Sequence, residues 1–299
     1  MLGFHAHSFR LFLITALLAY GVDLPRAAES NRNTSQVSQT GQQNNVQIRQ
    51  AGSDNQALAE QRGTRNQADI QQIGTGNAAY IQQVGGLLLF HNEARQYQHG
   101  HGNTASIEQA ITQERGTQNN SARQDQVGDA NSARLVQRSN LNQALQMQQG
   151  NGNESEIQQD NPLTILSLQN ADHQQYGHDN SAATTQSGGG QSAKILQYQD
   201  HNQATQIQTG HFNQANIKQD GGGNQAGQIQ KGTSNLAVIE QQGEDNQAYQ
   251  YQEGSFNSVF VRQLSGNNVF ESYQYGNLNS YSITQTGEGV PVIITQGLE

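Results

Sequence analysis

Polar and apolar residues alternate along this chain with a period of two, in short runs that end near a glycine. Between Asn202 and Gln285, every second residue of a run keeps its type: asparagine, then usually alanine, then a variable fifth residue, then glutamine. Residues two apart share one face of a β-strand, so each run predicts a strand with one uniform face. The x-Gly-x-x segment that follows predicts a turn. A helix requires a period of 3.6, which the runs do not show.

The unit N-x-A-x-[I/Q]-x-Q-x-G-x-x recurs every eleven residues. A fixed period over most of a chain indicates an array of repeated units, about 23 of them here. In the longest unbroken stretch the asparagines are Asn202, Asn213, Asn224, Asn235, Asn246, Asn257, Asn268 and Asn279. The glutamines are Gln208, Gln219, Gln230, Gln241, Gln252, Gln263, Gln274 and Gln285. The turn glycines include Gly210, Gly221, Gly232, Gly243 and Gly254.

The fifth position carries a second and longer period. Aliphatic and polar residues alternate there between successive units, so the complete repeat is 22 residues and contains two strands. The aliphatic set is Ile195, Ile217, Ile239, Val261 and Ile283, and the polar set is Gln206, Gln228, Gln250 and Ser272. This pattern predicts an all-β fold, a two-sheet β-solenoid whose successive coils lie about 4.8 Å apart. The amino-terminal units, from Val37 to Ile81, do not alternate cleanly.

Three insertions interrupt the array. They lie near residues 85–91, 110–118 and 160–168, and the eleven-residue step resumes after each of them. After the third insertion, Gln169 takes the position of the asparagine. Insertions in repeat proteins map to loops, so the first of them is expected to lengthen a turn.

The amino-terminal segment, residues 1–28, has the organisation of a secretory signal peptide. Arg10 precedes an apolar run from Leu11 to Tyr20, which is too short to span a membrane. Cleavage near Gly21 fits the small-x-small rule best, and Ala28 is an alternative, so the boundary falls between 21 and 28. A buried amino-terminal helix is the competing interpretation. The repeat domain is expected to cover residues 29–299.

Composition and charge exclude several function classes. Apolar residues make up 32% of the chain and charged residues 13%, with three prolines and no cysteine. Disordered chains usually carry more charge and more proline, and low-complexity tracts lack a strict register. The net charge of −9, without basic clusters, argues against nucleic acid as a partner. The lack of cysteine excludes disulfide frameworks and thiolate metal sites.

No catalytic constellation can be recognised, and we predict a non-enzymatic protein without a cofactor or a metal site. The histidines fall mostly in turns, where a solvated side chain is the simpler interpretation than a metal ligand. Acidic residues form no repeated column of the kind that binds calcium in nonapeptide repeats. Outward apolar residues at the sixth position of the even strands are a candidate strip for lateral fibre contact or surface adhesion, and ordinary cross-strand packing or a local register shift is the competing interpretation. These residues are Tyr97, Met147, Ile207, Ile229, Tyr251 and Tyr273.

The repeated amides are predicted to form ladders. A buried amide without a partner costs about 1–3 kcal/mol, but identical amides stacked once per coil can donate to one neighbour and accept from the other. Alanine lets the sheets approach closely, and the turn glycines permit a positive φ. No capping element can be recognised at either end, so an open strand is expected to act as a template for another copy.

This spacing resembles the curlin repeat of curli subunits, the secreted amyloid fibre proteins of bacterial biofilms. Close matches run from Gln50 to Ala57 and from Gln208 to Ala215. The resemblance implies an extracellular protein of the bacterial cell surface, the fimbrium. It also implies assembly with itself and other curlin-type subunits, through dedicated secretion and assembly factors and without stable membrane insertion. Major fibre subunit and nucleator both remain open, and about twelve coils exceed the usual handful of this family.

The alternative function is a soluble, capped β-solenoid that acts as an adhesin or binds a ligand. An ice-binding solenoid needs an outward threonine column, and a β-helix carbohydrate-active enzyme needs longer coils and an acidic cluster. The sequence shows neither pattern. Fibre formation by the purified chain, against a stable monomer, distinguishes the two main hypotheses.

Overall fold

A computed structural model of the chain describes residues 32–85, 91–110, 119–161, 168–289 and 291–297. Within these ranges the backbone forms 23 β-strands and no helix. The strands are β1 Thr34–Gln42, β2 Asn45–Ser53, β3 Gln56–Thr64, β4 Gln67–Thr75, β5 Ala78–Val84, β6 Glu93–His101, β7 Thr104–Gln109, β8 Ser121–Val127, β9 Ser132–Gln137, β10 Gln143–Gln149, β11 Glu154–Asp160, β12 Asn170–Tyr176, β13 Ser181–Gly189, β14 Ser192–Tyr198, β15 Gln203–His211, β16 Gln214–Asp220, β17 Gln225–Thr233, β18 Leu236–Gln242, β19 Gln247–Ser255, β20 Ser258–Gln263, β21 Val269–Asn277, β22 Ser280–Gln285 and β23 Pro291–Gln296.

The strands form two parallel sheets. The twelve odd-numbered strands make one sheet in sequence order, here called the odd sheet, and the eleven even-numbered strands make the even sheet. Each strand pairs with the strands two before and two after it, and the usual register offset is 22 residues, as between Ala204 and Ala226. The predicted two-sheet β-solenoid is therefore confirmed, with eleven full coils and one further strand in the described part of the chain.

The register survives all three insertions. Across the first, Ala78 of β5 pairs with Thr104 of β7, and across the third, Gln143 of β10 pairs with Asn170 of β12. Most of the inserted residues, and the predicted signal peptide, lie outside the described residues. The described residues include no helix that is long and apolar enough to cross a membrane.

Most strands end in an arc that has a glycine two residues after the repeated glutamine. Gly210 has φ of 110° and Gly232 has φ of 113°, a region that side chains with a Cβ rarely adopt. A Cβ on Gly210 would overlap the carbonyl oxygen of Gly232 in the next coil. The arcs therefore stack backbone on backbone. The residue before most of the repeated asparagines has a left-handed conformation that residues other than glycine tolerate, for example Phe212 with φ of 56°.

The core between the sheets is narrow and largely polar. Alanine, asparagine, glutamine and the fifth residue of the unit point inward, and most are fully buried. At the fifth position the odd sheet stacks Val37, Ala59, Ile81, Ile107, Leu135, Ile157, Thr184, Gln206, Gln228, Gln250, Ser272 and Ile294. The even sheet stacks Ile48, Ile70, Gln96, Gln124, Gln146, His173, Ile195, Ile217, Ile239, Val261 and Ile283.

The main aliphatic column therefore changes sheet inside the molecule. It lies in the odd sheet as far as Ile157 and in the even sheet from Ile195 onward. The apolar core is accordingly divided into two clusters, which meet at β12 and β13. Ile48 and Ile70 add aliphatic residues to the even sheet near the amino terminus, which is why the alternation is unclear there.

The prediction of a single outward strip is wrong. The six residues lie on strands that have a polar fifth residue, and such strands belong to the even sheet before the change and to the odd sheet after it. Tyr97 and Met147 lie on β6 and β10 of the even sheet. The other four residues lie on consecutive strands of the odd sheet: Ile207, Ile229, Tyr251 and Tyr273. A shorter apolar row of four residues remains on that face.

Candidate functional site

Two continuous ladders of buried glutamines run through the solenoid. In each sheet, Nε2 of one glutamine donates to Oε1 of the glutamine on the next strand, at 2.8–2.9 Å. The odd-sheet ladder is Gln39, Gln61, Gln83, Gln109, Gln137, Gln159, Gln186, Gln208, Gln230, Gln252, Gln274 and Gln296. The even-sheet ladder is Gln50, Gln72, Gln98, Gln126, Gln148, Gln175, Gln197, Gln219, Gln241, Gln263 and Gln285. Neither ladder is broken by an insertion.

The same glutamines also join the two sheets. The second N–H of Gln208 donates to the carbonyl oxygen of Ser192 on the facing sheet, at 3.0 Å, and Gln230 donates to Gln214 in the same way, at 2.8 Å. Gln208 and Gln230 are 0% exposed. Each amide thus forms several hydrogen bonds in a dry interior, where an unpaired amide is costly.

The asparagines hold the arcs between strands. The backbone N–H of Asn224 donates to Oδ1 of Asn202 in the preceding coil, at 3.1 Å. Its Nδ2 donates to the carbonyl oxygen of Gly243, at 2.8 Å, in the arc of the next coil. Direct amide-to-amide bonds occur as well, for example from Asn235 Nδ2 to Asn213 Oδ1 at 3.2 Å. The asparagine column therefore fixes the arcs, in addition to the laddering that the sequence predicts.

The polar residues at the fifth position lie in the even sheet up to His173 and in the odd sheet from Thr184. A series of hydrogen-bonded side chains connects the two sets. Gln146 Nε2 lies 3.0 Å from Ser155 Oγ, which lies 2.9 Å from His173 Nδ1. His173 Nε2 lies 2.7 Å from Thr184 Oγ1, which donates to Gln206 Oε1 at 3.4 Å. The hydroxyl of Thr184 has one hydrogen, which it donates to Gln206 Oε1. Thr184 Oγ1 therefore accepts a hydrogen bond from His173 Nε2, and His173 is the Nε2–H tautomer. Ser155 then donates to Nδ1 and accepts from Gln146.

Among the histidines that the structure describes, His173 alone is fully buried. Burial lowers the pKa of His173 from 6.5 to about 3, because the imidazolium would lose its hydration. Sequence reasoning missed this residue. Its position, the fifth residue of the unit that begins at Gln169, is the signal that could have identified it as inward-facing.

The end strands differ from the inner strands in burial. Val37 on β1, Ile283 on β22 and Ile294 on β23 are only half-buried, whereas Ile217 and Ile239 in the same position are 0% exposed. Each end strand of the described array pairs with one strand only. Among the described strands, the outer edges at the two ends pair with no further strand, and they lie beside partly exposed apolar side chains.

The remaining polar groups form small surface contacts. Most ion pairs lie on the outer faces, such as the pair of Arg262 Nη2 and Glu240 Oε2 at 2.8 Å. In the described ranges, no group of three or more His, Cys, Asp or Glu side chains is arranged to hold a metal ion.

We expect the Gln230→Leu variant to lose about 1–3 kcal/mol of unfolding free energy, because in the dry core Gln252 Oε1 then loses its donor and Gln208 Nε2 loses one acceptor. Urea unfolding of the freshly prepared monomer measures this loss. The matched control is Gln225→Leu, on an exposed outward position of the same strand. It should change stability by less than about 0.5 kcal/mol. Equal losses in the two variants would contradict a role for the ladder.

Fold and ladders together define a class: a parallel two-sheet β-solenoid held by in-register amide ladders. Residues 232–264, which include β18 to β20, match the family model of the Curlin associated repeat. The resemblance to the curlin repeat is confirmed over these residues. The match and the fold together indicate a curli-like, amyloid-related structural protein. A search of curated protein sequences found no significant match.

Proposed function

We propose that this chain is a secreted structural protein that self-assembles end to end into extracellular amyloid fibres of the curli type, or nucleates them. The observation that carries the proposal is the pair of uninterrupted glutamine ladders ending at open strands. The donor of each ladder bond always has the lower residue number. One end of the solenoid therefore offers the accepting oxygen and the other end offers the donating N–H.

Edge strands of soluble proteins usually carry charges, prolines or covering elements that prevent further pairing. In the described residues the first end has one charged side chain on its two strands, the exposed Arg49. The other end has no charged side chain on β22 or β23, and its Pro291 stands at the first position of its strand. A proline there leaves the rest of the strand free to pair. These edges favour addition of another copy over a stable monomer.

The proposal includes a division of the chain into a signal peptide, residues 1–28, and a repeat domain, residues 29–299. It places the mature protein outside the cell, on the bacterial surface, in adhesion and biofilm matrix. Its partners are further copies of itself, other curlin-type subunits, and secretion and assembly factors. The role is structural, with no catalytic step.

The test is assembly of the purified repeat domain, residues 29–299, in dilute buffer. We expect fibres with a meridional reflection at about 4.7–4.8 Å, the strand spacing of cross-β structure. The control is Ile294→Lys, which places a charge in the inner face of the last strand, where the side chain is half-buried. This variant should remain folded and assemble much more slowly. A wild-type domain that stays monomeric for days would instead favour the soluble adhesin.

A further inference from the structure

The two ends of the solenoid are out of step by half a coil. The odd sheet has twelve strands and the even sheet eleven in the described residues, so β23 begins a coil that has no second strand. At the other end, β1 and β2 form a complete coil. A second copy can continue the stack in two ways, and they differ in which sheet receives its β1.

Stacking like sheet on like sheet leaves a defect. If β1 of the next copy pairs with β23, then β2 of that copy lies two strand spacings, about 10 Å, from β22. One strand position in the even sheet stays empty, with unpaired backbone groups on both sides, which is costly away from water. If β1 instead pairs with β22, β2 pairs with β23, and both sheets continue without a gap.

The side chains match in the gap-free arrangement. Extending the observed 22-residue register places Val37 of the next copy on Ile283, and Gln39 on Gln285. On the other sheet the same register pairs β2 of the next copy with β23 and brings three identical residue types together. These pairs are Val46 on Val292, Ile48 on Ile294 and Gln50 on Gln296. Both glutamine ladders continue, and the half-buried apolar residues of the end strands become covered.

The change of sheet at His173 makes the aliphatic column match as well. The column leaves one copy on the even sheet, at Ile283, and begins in the next copy on the odd sheet, at Val37. A junction that places the odd sheet on the even sheet keeps this column continuous, whereas the like-on-like junction leaves Ile283 facing the empty strand position. On the opposite sheet, Ile294 of one copy is followed by Ile48 and Ile70 of the next copy. The fifth-position residues are therefore apolar on both sheets at this junction.

We propose that successive copies in the fibre are related by half a turn about the fibre axis, so that each sheet of one copy continues into the other sheet of the next. This arrangement rests on the proposed end-to-end assembly and specifies its geometry. The two faces of the molecule then alternate along each side of the fibre, with a repeat of two copies.

Cysteine pairs distinguish the two junctions, because the natural chain has no cysteine. In the half-turn junction, Gln36 of one copy lies beside Ser282 of its neighbour, and in the like-on-like junction it lies beside Ile293. All three side chains are exposed. Adjacent strands are about 4.8 Å apart, within reach of a disulfide or a short thiol cross-linker. The variants are Q36C/S282C and Q36C/I293C.

Fibres of each variant are oxidised or cross-linked, dissolved and separated on a non-reducing denaturing gel. We expect covalent multimers from Q36C/S282C and monomers from Q36C/I293C. The reverse result, equal cross-linking, or fibres of both variants without cross-links would overturn the half-turn junction. Electron microscopy of the same samples scores assembly separately, so a failure to form fibres counts against the proposed function and with it this geometry.

Discussion

The Gly232→Ala variant should lose more than about 3 kcal/mol of unfolding free energy. The φ of 113° at Gly232 is itself worth about 1–3 kcal/mol of strain for a residue with a Cβ. The new Cβ would also overlap the carbonyl oxygen of Gly254, the next glycine of the same column. That oxygen cannot move freely, because it accepts from Asn235 Nδ2 at 3.0 Å. Urea unfolding of the monomer, monitored by circular dichroism, measures the loss.

The matched control is Gly102→Ala. Gly102 has φ of 64°, and a Cβ there meets no atom within 4 Å. Other residues occupy the corresponding conformation elsewhere in the array, including Phe212. We expect a cost of about 1–2 kcal/mol, the ordinary penalty of the left-handed region. Equal effects of the two alanines would show that stacking of the arcs does not limit stability.

The solenoid should lose about 3 kcal/mol of stability between pH 7 and pH 4 through His173 alone. The folded state keeps this imidazole neutral down to a pKa of about 3, whereas the unfolded chain takes up a proton near 6.5. Unfolding therefore binds a proton below pH 6.5, and the free energy of unfolding falls by about 1.4 kcal/mol per pH unit. The inward residues of β10, β11, β13 and β14 are uncharged, so none of them stabilises an imidazolium.

The control for this pH dependence is His173→Gln, which removes the titrating group and keeps a polar side chain at the fifth position. All other ionisable side chains are the same in both proteins, so the difference between the two stability curves isolates His173. We expect the stability of the wild type relative to this variant to fall by about 3 kcal/mol as the pH falls from 7 to 4. Parallel curves over this range would mean that the imidazole is not held neutral in the folded state.

The fold could be predicted from the sequence because identical residues recur at the same position of most units, and this recurrence determines the register of the strands. Asn202 and the seven asparagines that follow it at eleven-residue steps fix the strand length, the arc and the number of strands per coil. The laddering of Gln208 on Gln230 follows from the same spacing, since stacked strands bring identical residues together. In a solenoid each repeat contacts only its neighbours, so the period of the sequence already indicates which residues are in tertiary contact.

The change of sheet could not be predicted as easily. Two consecutive units, those of His173 and Thr184, both carry polar residues at the fifth position, next to an insertion. Aliphatic and polar fifth residues alternate regularly in the units just before His173 and just after Thr184. The change of the aliphatic residues from one sheet to the other is therefore visible only when every strand is counted across the insertion. For this reason the sequence placed Tyr97 and Tyr251 on one strip, although they lie on different sheets.

Each glutamine ladder has an electrical direction. In each ladder the side-chain N–H that bonds the next glutamine points toward the carboxy-terminal end, from Gln39 and Gln50 onward, so the dipoles of these ladder bonds add along the axis. Head-to-tail addition of copies lengthens this array of aligned dipoles with each step. Two such filaments lying side by side attract each other when they run in opposite directions and repel when they run in the same direction.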